Sequence, residues 1–146
     1  MPIALLVRFV PALNFNGTVS ICFDTIDNDG LRSENPAEIE VTVESVNDAP
    51  TATPQDITTP EDTPVDTPLV GADVDGIVEF VVVTKLPDAT EGQLQFADGT
   101  AVPLNTNIPA ADAALIRFVP AANFNGTISI CFDTIDNDGL RSEPGA

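Results

Sequence analysis

Residues 37–46, AEIEVTVESV, alternate strictly between apolar and polar positions. Ile39, Val41 and Val43 fall on one side, and Glu38, Glu40, Thr42 and Glu44 on the other. A period of two with one apolar face predicts a half-buried antiparallel strand. The same alternation predicts a strand over 127–135, with Ile128, Ile130 and Phe132 inward and Ser129, Cys131 and Asp133 outward. Residues 77–85 are a β-branched run and read as a central strand. Gly92–Phe96 and Thr100–Leu104 flank an Asp98-Gly99 pair, a hairpin signal. Residues 113–119 read as a further strand. The proline-rich stretch 50–68 predicts an extended, bulged edge strand, because proline cannot donate to a ladder. Thirteen Pro and nine Gly break up the chain and exclude long helices.

A long internal repeat sets the scale of the unit. Val7–Glu34 aligns without gaps to Ile116–Glu143, and 25 of the 28 positions are identical. The three exchanges, Val7/Ile116, Leu13/Ala122 and Val19/Ile128, are all apolar. The period of 109 residues far exceeds a solenoid unit and approaches a whole β-sandwich domain. The repeating unit is therefore expected to be a domain of about seven strands, and the chain a slice of an array.

The expected strands are A (about 52–59), B (63–70), C (77–85), D (92–97), E (113–119), F (127–135) and G, which is present only in the first copy at 37–46. Residues 100–104 are expected to extend D or to join D to E. Residues 1–46 then hold strands E, F and G of one repeat, 47–51 form a linker, and 52–146 hold strands A to F of a second repeat without its G. Three strands cannot close a core alone. A linker of five residues spans at most ~17 Å, so the early G strand is not expected to fold back into the second repeat. The missing strands are expected from neighbours, in the same natural chain or in identical subunits.

Charge narrows the partners. Twenty-three Asp and Glu oppose five Lys and Arg, a formal net charge of −18. Such a surface repels phosphate backbones and anionic membranes and attracts cations. Nucleic acid is not an expected partner. No segment has the ~20 apolar residues of a membrane span, so no direct membrane insertion is expected. Residues 1–13 show no basic segment or cleavage site of a leader. The chain has no His, and its two Cys, Cys22 and Cys131, lie one per copy. This is neither a disulfide framework nor a thiolate metal site. Each Cys is expected to be a half-exposed small residue, the alternative being a cross-link between neighbouring chains. The Asn-Gly-Thr triplets at 16–18 and 125–127 match a glycosylation sequon but read as tight turns leading into a strand.

Acidic clusters recur at expected loops. They are Asp27-Asn28-Asp29-Gly30 with its copy Asp136 to Gly139, Val46-Asn47-Asp48-Ala49-Pro50, Pro60-Glu61-Asp62, and Asp73-Val74-Asp75-Gly76. Calcium takes six to eight oxygen ligands from carboxylates, amides and carbonyls. One D-x-D-G turn offers two carboxylates and is by itself an ordinary solvated bend. Two such turns meeting an Asn-Asp linker could complete a shell. The twelve-residue EF-hand loop is absent.

The run FVPAANFNGTISICFDTIDNDGLRSE, followed in the first copy by AEIEVTVESVNDAPTA and then PEDTP, resembles the bacterial cadherin-like repeats of the tandem-95 type. The resemblance extends through almost the whole 109-residue period. It implies immunoglobulin-like or cadherin-like sandwich repeats in large secreted or surface proteins of bacteria. It also implies structural Ca2+ at domain junctions. On this reading Asn47 and Asp48 are linker ligands, Asp73, Asp75 and Glu61 come from the following domain, and Asp27 and Asp29 from the preceding one. Asp136 and Asp138 are the corresponding ligands of the second copy. Cys in the F strand, where Thr is common, and the long irregular region 85–112 depart from the pattern.

The leading functional expectation is a non-enzymatic spacer or adhesin module of an extracellular tandem array, stiffened by calcium through mass action on the folded state. A second is a self-assembling filament subunit whose neighbour donates the missing G strand. A third is a carbohydrate-binding module, for which the aromatic platforms are poor: Trp and Tyr are absent. Enzymatic use of paired carboxylates is not expected from turns without cleft-forming insertions.

Overall fold

The computed structural model describes residues 5–143. Residues 1–4 and 144–146, the outer limits of the two expected repeats, lie outside that description. The chain divides into two units, Met1–Val46 and Asn47–Ala146.

The first unit is a hairpin. β1 (Gly17–Phe23) pairs antiparallel with β2 (Ala37–Val43) in unbroken register, from Gly17 opposite Val43 to Phe23 opposite Ala37. These are the F and G strands expected for the first copy. Of the residues equivalent to strand E, the described ones, 5–10, form no strand. Among the described residues of this unit none is buried. Ile39 remains 48% exposed and Phe23 45%. A two-stranded ribbon has nothing to lay its apolar face against.

The second unit is an all-β sandwich. Its strands are β3 (Thr51–Ala52), β4 (Val65–Asp66), β5 (Gly71–Ala72), β6 (Val78–Lys85), β7 (Gly92–Gln95), β8 (Asn107–Pro109), β9 (Arg117–Pro120) and β10 (Cys131–Asp136), with one helical turn, α1 (Ala110–Ala113), before β9. One sheet runs β4-β9-β7 and the other β10-β6-β8, with β3-β5 as a short extra pair. Every pairing is antiparallel. Val81 and Val83 from one sheet meet Leu94 and Phe118 from the other, and Leu69, Val102, Ile108, Ala113 and Ile116 complete the core. Ile128, Ile130 and Phe132 pack against it from the side, as their alternation predicts. The architecture is an immunoglobulin-like β-sandwich.

Several strand limits differ from the expectation, each for a local reason. Strand A shrinks to two residues because Pro54 and Pro60 interrupt the ladder; beyond it Thr53 N–H still reaches the Val70 carbonyl at 2.9 Å. Strand B breaks at Pro68 into β4, on the β9 sheet, and β5, paired with β3. Strand E starts at Arg117 rather than 113. The alanine-rich run before it favours helix and forms α1, with Ala113 fully buried. The Asp98-Gly99 turn forms as expected: Phe96 N–H donates to the Thr100 carbonyl at 2.8 Å, and Gly99 has φ +88°. Residues 100–104 contribute only single contacts to β7, after which β8 crosses to β6 in the other sheet. Strand F begins at Cys131 rather than 127.

Candidate functional site

The turn after β10 is built from its own sequence. Asp136 Oδ1 accepts from the N–H groups of Asp138 at 2.9 Å and Leu140 at 2.8 Å. Gly139, at φ +90°, takes the left-handed conformation that lets the chain reverse. Arg141 Nε donates to Asp133 Oδ2 at 2.8 Å, and Thr134 N–H to Ser142 Oγ at 2.9 Å. The duplicate turn after β1 repeats all four kinds of bond. Asp29 and Leu31 N–H donate to Asp27 Oδ1, both at 2.9 Å, Arg32 Nε to Asp24 Oδ2 at 2.7 Å, and Thr25 N–H to Ser33 Oγ at 3.1 Å. The repeated phrase DTIDNDGLRSE thus folds locally. Its first turn carboxylate is an internal cap that satisfies backbone donors.

Only the second turn is docked on a core. Asn137 N–H donates to the Ile77 carbonyl at 3.1 Å, and Asn137 Oδ1 accepts from Ile77 N–H at 3.1 Å. This reciprocal pair ties the turn to the start of β6. The loop between β5 and β6 adds Asp73 and Asp75. The leading segment of the same unit adds Asn47 and Asp48. Asn47 Nδ2 donates to Asp136 Oδ2 at 2.7 Å, and Asp48 N–H to Asp75 Oδ2 at 3.1 Å. The structure therefore brings Asn47, Asp48, Asp73, Asp75 and Asp136 to one pole of the second unit. The two loops approach closely at Gly76, where a Cβ would stand 2.5 Å from Asn137 Oδ1 and 2.7 Å from Asp73 Oδ2 and would push these side chains aside.

Electrostatics separate these carboxylates. Burial pushes Asp136 up, but the Asn47 amide and the N–H groups of Leu140, Asp138 and Gly139 outweigh it, so its pKa lies below the ordinary 3.8. Asp73 moves the other way. Burial raises it, Asp75 and Asp136 add negative charge beside it, and the Asp75 N–H only partly opposes them. Asp73 Oδ2 is buried without a hydrogen-bond donor. A buried carboxylate oxygen without a donor carries an unmet electrostatic demand.

The other sequence candidates lie elsewhere. Asp138 is exposed beside the pole and contributes its N–H to the turn. Glu61 is exposed and precedes Asp62, whose Oδ1 accepts from Asn123 N–H at 2.7 Å. Asp27 and Asp29 lie in the first unit, where their turn closes the β1–β2 ribbon at the end opposite Val43. Asn137 and Gly76 were not among the sequence candidates. Both sit inside the acidic motifs, but a search for cation ligands passes over an amide that clasps backbone and a glycine that allows a close approach.

Among the described residues no three acidic or cysteine side chains stand close enough together to hold a metal ion as they are placed. The donor chemistry of the pole, carboxylates and amide oxygens, suits a hard cation. Asp136 and Asp75 meanwhile have an oxygen each engaged by Asn47 and Asp48. No helix among the described residues is long and apolar enough to cross a membrane.

No curated protein and no solved structure matches the chain. A family model described as bacterial Ig domain matches residues 47–144. The match begins at Asn47, the residue whose amide is bound to Asp136, and runs through β3 to β10. By sandwich topology and by this match over most of its length, the chain belongs to the bacterial Ig domain family.

Proposed function

We infer that the chain is a structural module of an extracellular bacterial repeat protein of the cadherin-like, tandem-95 kind, and that its acidic pole fixes the direction in which the polypeptide arrives at the sandwich. The observation that carries this reading is the double attachment of the leading segment, Asn47 to Asp136 and Asp48 to Asp75. Two hydrogen bonds to separate loops hold the segment at two points, and charge-assisted bonds are the stronger kind. A spacer needs this: an arriving strand that swivels transmits no orientation along an array.

Calcium belongs to the same reading. Asp73 Oδ2 is a buried oxygen without a donor, Asp75 and Asp136 place negative charge beside it, and Asn137 Oδ1 approaches the same glycine, Gly76. A bound calcium ion supplies positive charge where the chain has crowded negative charge. The residues would bind it only by releasing part of their present hydrogen bonding, so binding is expected to be weak, in the range of extracellular modules, about 10⁻⁴–10⁻³ M. The test is thermal unfolding of the chain in millimolar calcium and in chelator. The reading expects a higher Tm in calcium, with magnesium far less effective. An identical Tm in both solutions removes calcium from the account.

A further inference from the structure

The outer face of the β4-β9-β7 sheet carries polar side chains that the core does not use. Phe118 on β9 and Leu94 on β7 are buried inward. By the period of two, Arg117 and Val119 on β9 and Gln93 and Gln95 on β7 lie on the outward face. The register centres Arg117 in one row, with Asp66 opposite on β4 and Gln95 opposite on β7. Val119 and Gln93 form the next outward row.

Arg117 stands apart from the other arginines of the strand turns. Arg32 and Arg141 are each held by a carboxylate, Asp24 and Asp133. Among the described residues Arg117 forms no ion pair, although Asp66 is its ladder neighbour. Its Nε–H is buried and meets no acceptor. A buried donor left unmet costs free energy and calls for an explanation. The chain has 23 acidic residues, so the cause is not a shortage of carboxylates.

An open hollow of about 470 Å³ lies on the same face. Val119, Ala101 and Ala121 give it small apolar walls, and Gln93 and Gln95 line it. Gln95 Nε2 donates to Gln93 Oε1 at 2.9 Å. That bond leaves the Gln93 amide nitrogen as a donor and the Gln95 amide oxygen as an acceptor, side by side, for an incoming group.

We propose that this face binds a sugar acid, a pyranose ring bearing a carboxylate and neighbouring hydroxyls. The carboxylate takes the Arg117 guanidinium, whose planar fork matches it. The hydroxyls, each a donor and an acceptor, take the Gln93–Gln95 pair. The C–H side of the ring lies on Val119 and the alanines. A peptide acid is the poorer fit. β9 is paired on both sides, and β7 is bonded to β9 and, through the Val102 N–H to the Leu94 carbonyl, to the chain that turns back beside it. The face therefore has no free ladder for a strand. The net charge of −18 repels anions at range. This narrows the ligand to a single acidic sugar residue rather than a polyanion.

The test is an NMR titration of the full chain with galacturonate and with glucuronate, following the Arg117 Nε–H and the side-chain amides of Gln93 and Gln95. Saturable shifts of all three groups are expected with at least one of the two sugars. Galactose, glucose and acetate are each expected to bind at least about tenfold more weakly, since the first two lack the charge and the last lacks the hydroxyls. Arg117→Gln is expected to remove the preference for the acid over the neutral sugar, while the backbone resonances of Leu94 and Val81 in the core stay in place. No saturable shift with either acid overturns the proposal. So does a neutral sugar or acetate that binds as well as the sugar acids, or a preference for the acid that survives in a folded Arg117→Gln.

Discussion

The side-chain amide of Asn47 donates to Asp136 Oδ2 at 2.7 Å, joining residues 89 positions apart in the chain. The bond exists because the turn after β10 and the leading segment share one pole of the sandwich. Asp136 is 1% exposed, whereas its duplicate Asp27 is exposed. The same turn sequence is thus a solvated bend in one unit and an anchoring point in the other.

Replacing Asp136 by Asn keeps the shape of the side chain but sets an amide against several N–H donors. Thermal unfolding at pH 7 is expected to show a clearly lower Tm for Asp136→Asn. The sign with pH follows from the depressed pKa. The carboxylate stabilises the fold above its unfolded value near 3.8 and loses that contribution as pH falls through the lower folded value. The gap between variant and wild type should therefore narrow below pH 3.8. Asp88 and Asp98, held low by bonds from Thr90 and Thr100, titrate in the same direction, so the difference between the two proteins is the quantity to follow.

Asp73 carries the opposite sign. Its raised pKa means that its contribution is favourable below 3.8 and is lost as pH rises through the folded value, leaving a destabilising charge at pH 7. In chelator at neutral pH, Asp73→Asn should melt above the wild type. In calcium the order should shrink or reverse, because only the wild type gains from the ion. Differential scanning calorimetry of both proteins in both solutions checks this.

Gly71 approaches β3 so closely that a Cβ would stand 2.4 Å from the Thr51 carbonyl oxygen and 2.7 Å from Thr134 Cγ2. Gly71→Ala forces β3 away from β5, an overpacking cost of about 1–3 kcal/mol. Denaturant unfolding measures the loss, and hydrogen exchange should show the Thr51–Ala72 pairing opening first.

The two units should respond differently to similar truncations. Leu94 is 1% exposed in the core, so Leu94→Ala should cost about 2–5 kcal/mol in denaturant unfolding. Ile21, 38% exposed on a ribbon with no core, should leave the main transition within about 0.5 kcal/mol when changed to Ala.

Much of this fold was legible in the sequence where periodicity met a buried partner. The alternation of Ile128, Ile130 and Phe132 and the β-branched run of β6 predicted their faces, because a sheet edge on a core admits only one register of apolar residues. Strand limits were less legible, because a ladder needs a partner that local sequence does not name. Thr127–Ile130 has full strand character and, among the described residues, no strand beside it, and α1 takes residues that a strand reading extends into. The acidic pole was legible in its ingredients and not in its wiring. Nothing in DNDG says that Asp136 accepts Asn47, since that depends on which turns the topology gathers at one end. Asn137, whose amide clasps Ile77, was hidden among carboxylates that looked more like ligands.

Backbone amide relaxation over Asn47–Ala52 in calcium reads out whether the acidic pole holds the leading segment on its sandwich. A held segment gives order parameters near those of β6, about 0.85, with the Asp48 amide losing order in Asp75→Ala. Order parameters below about 0.6 through Asn47 and Asp48 in the wild type, with β6 rigid, would contradict it.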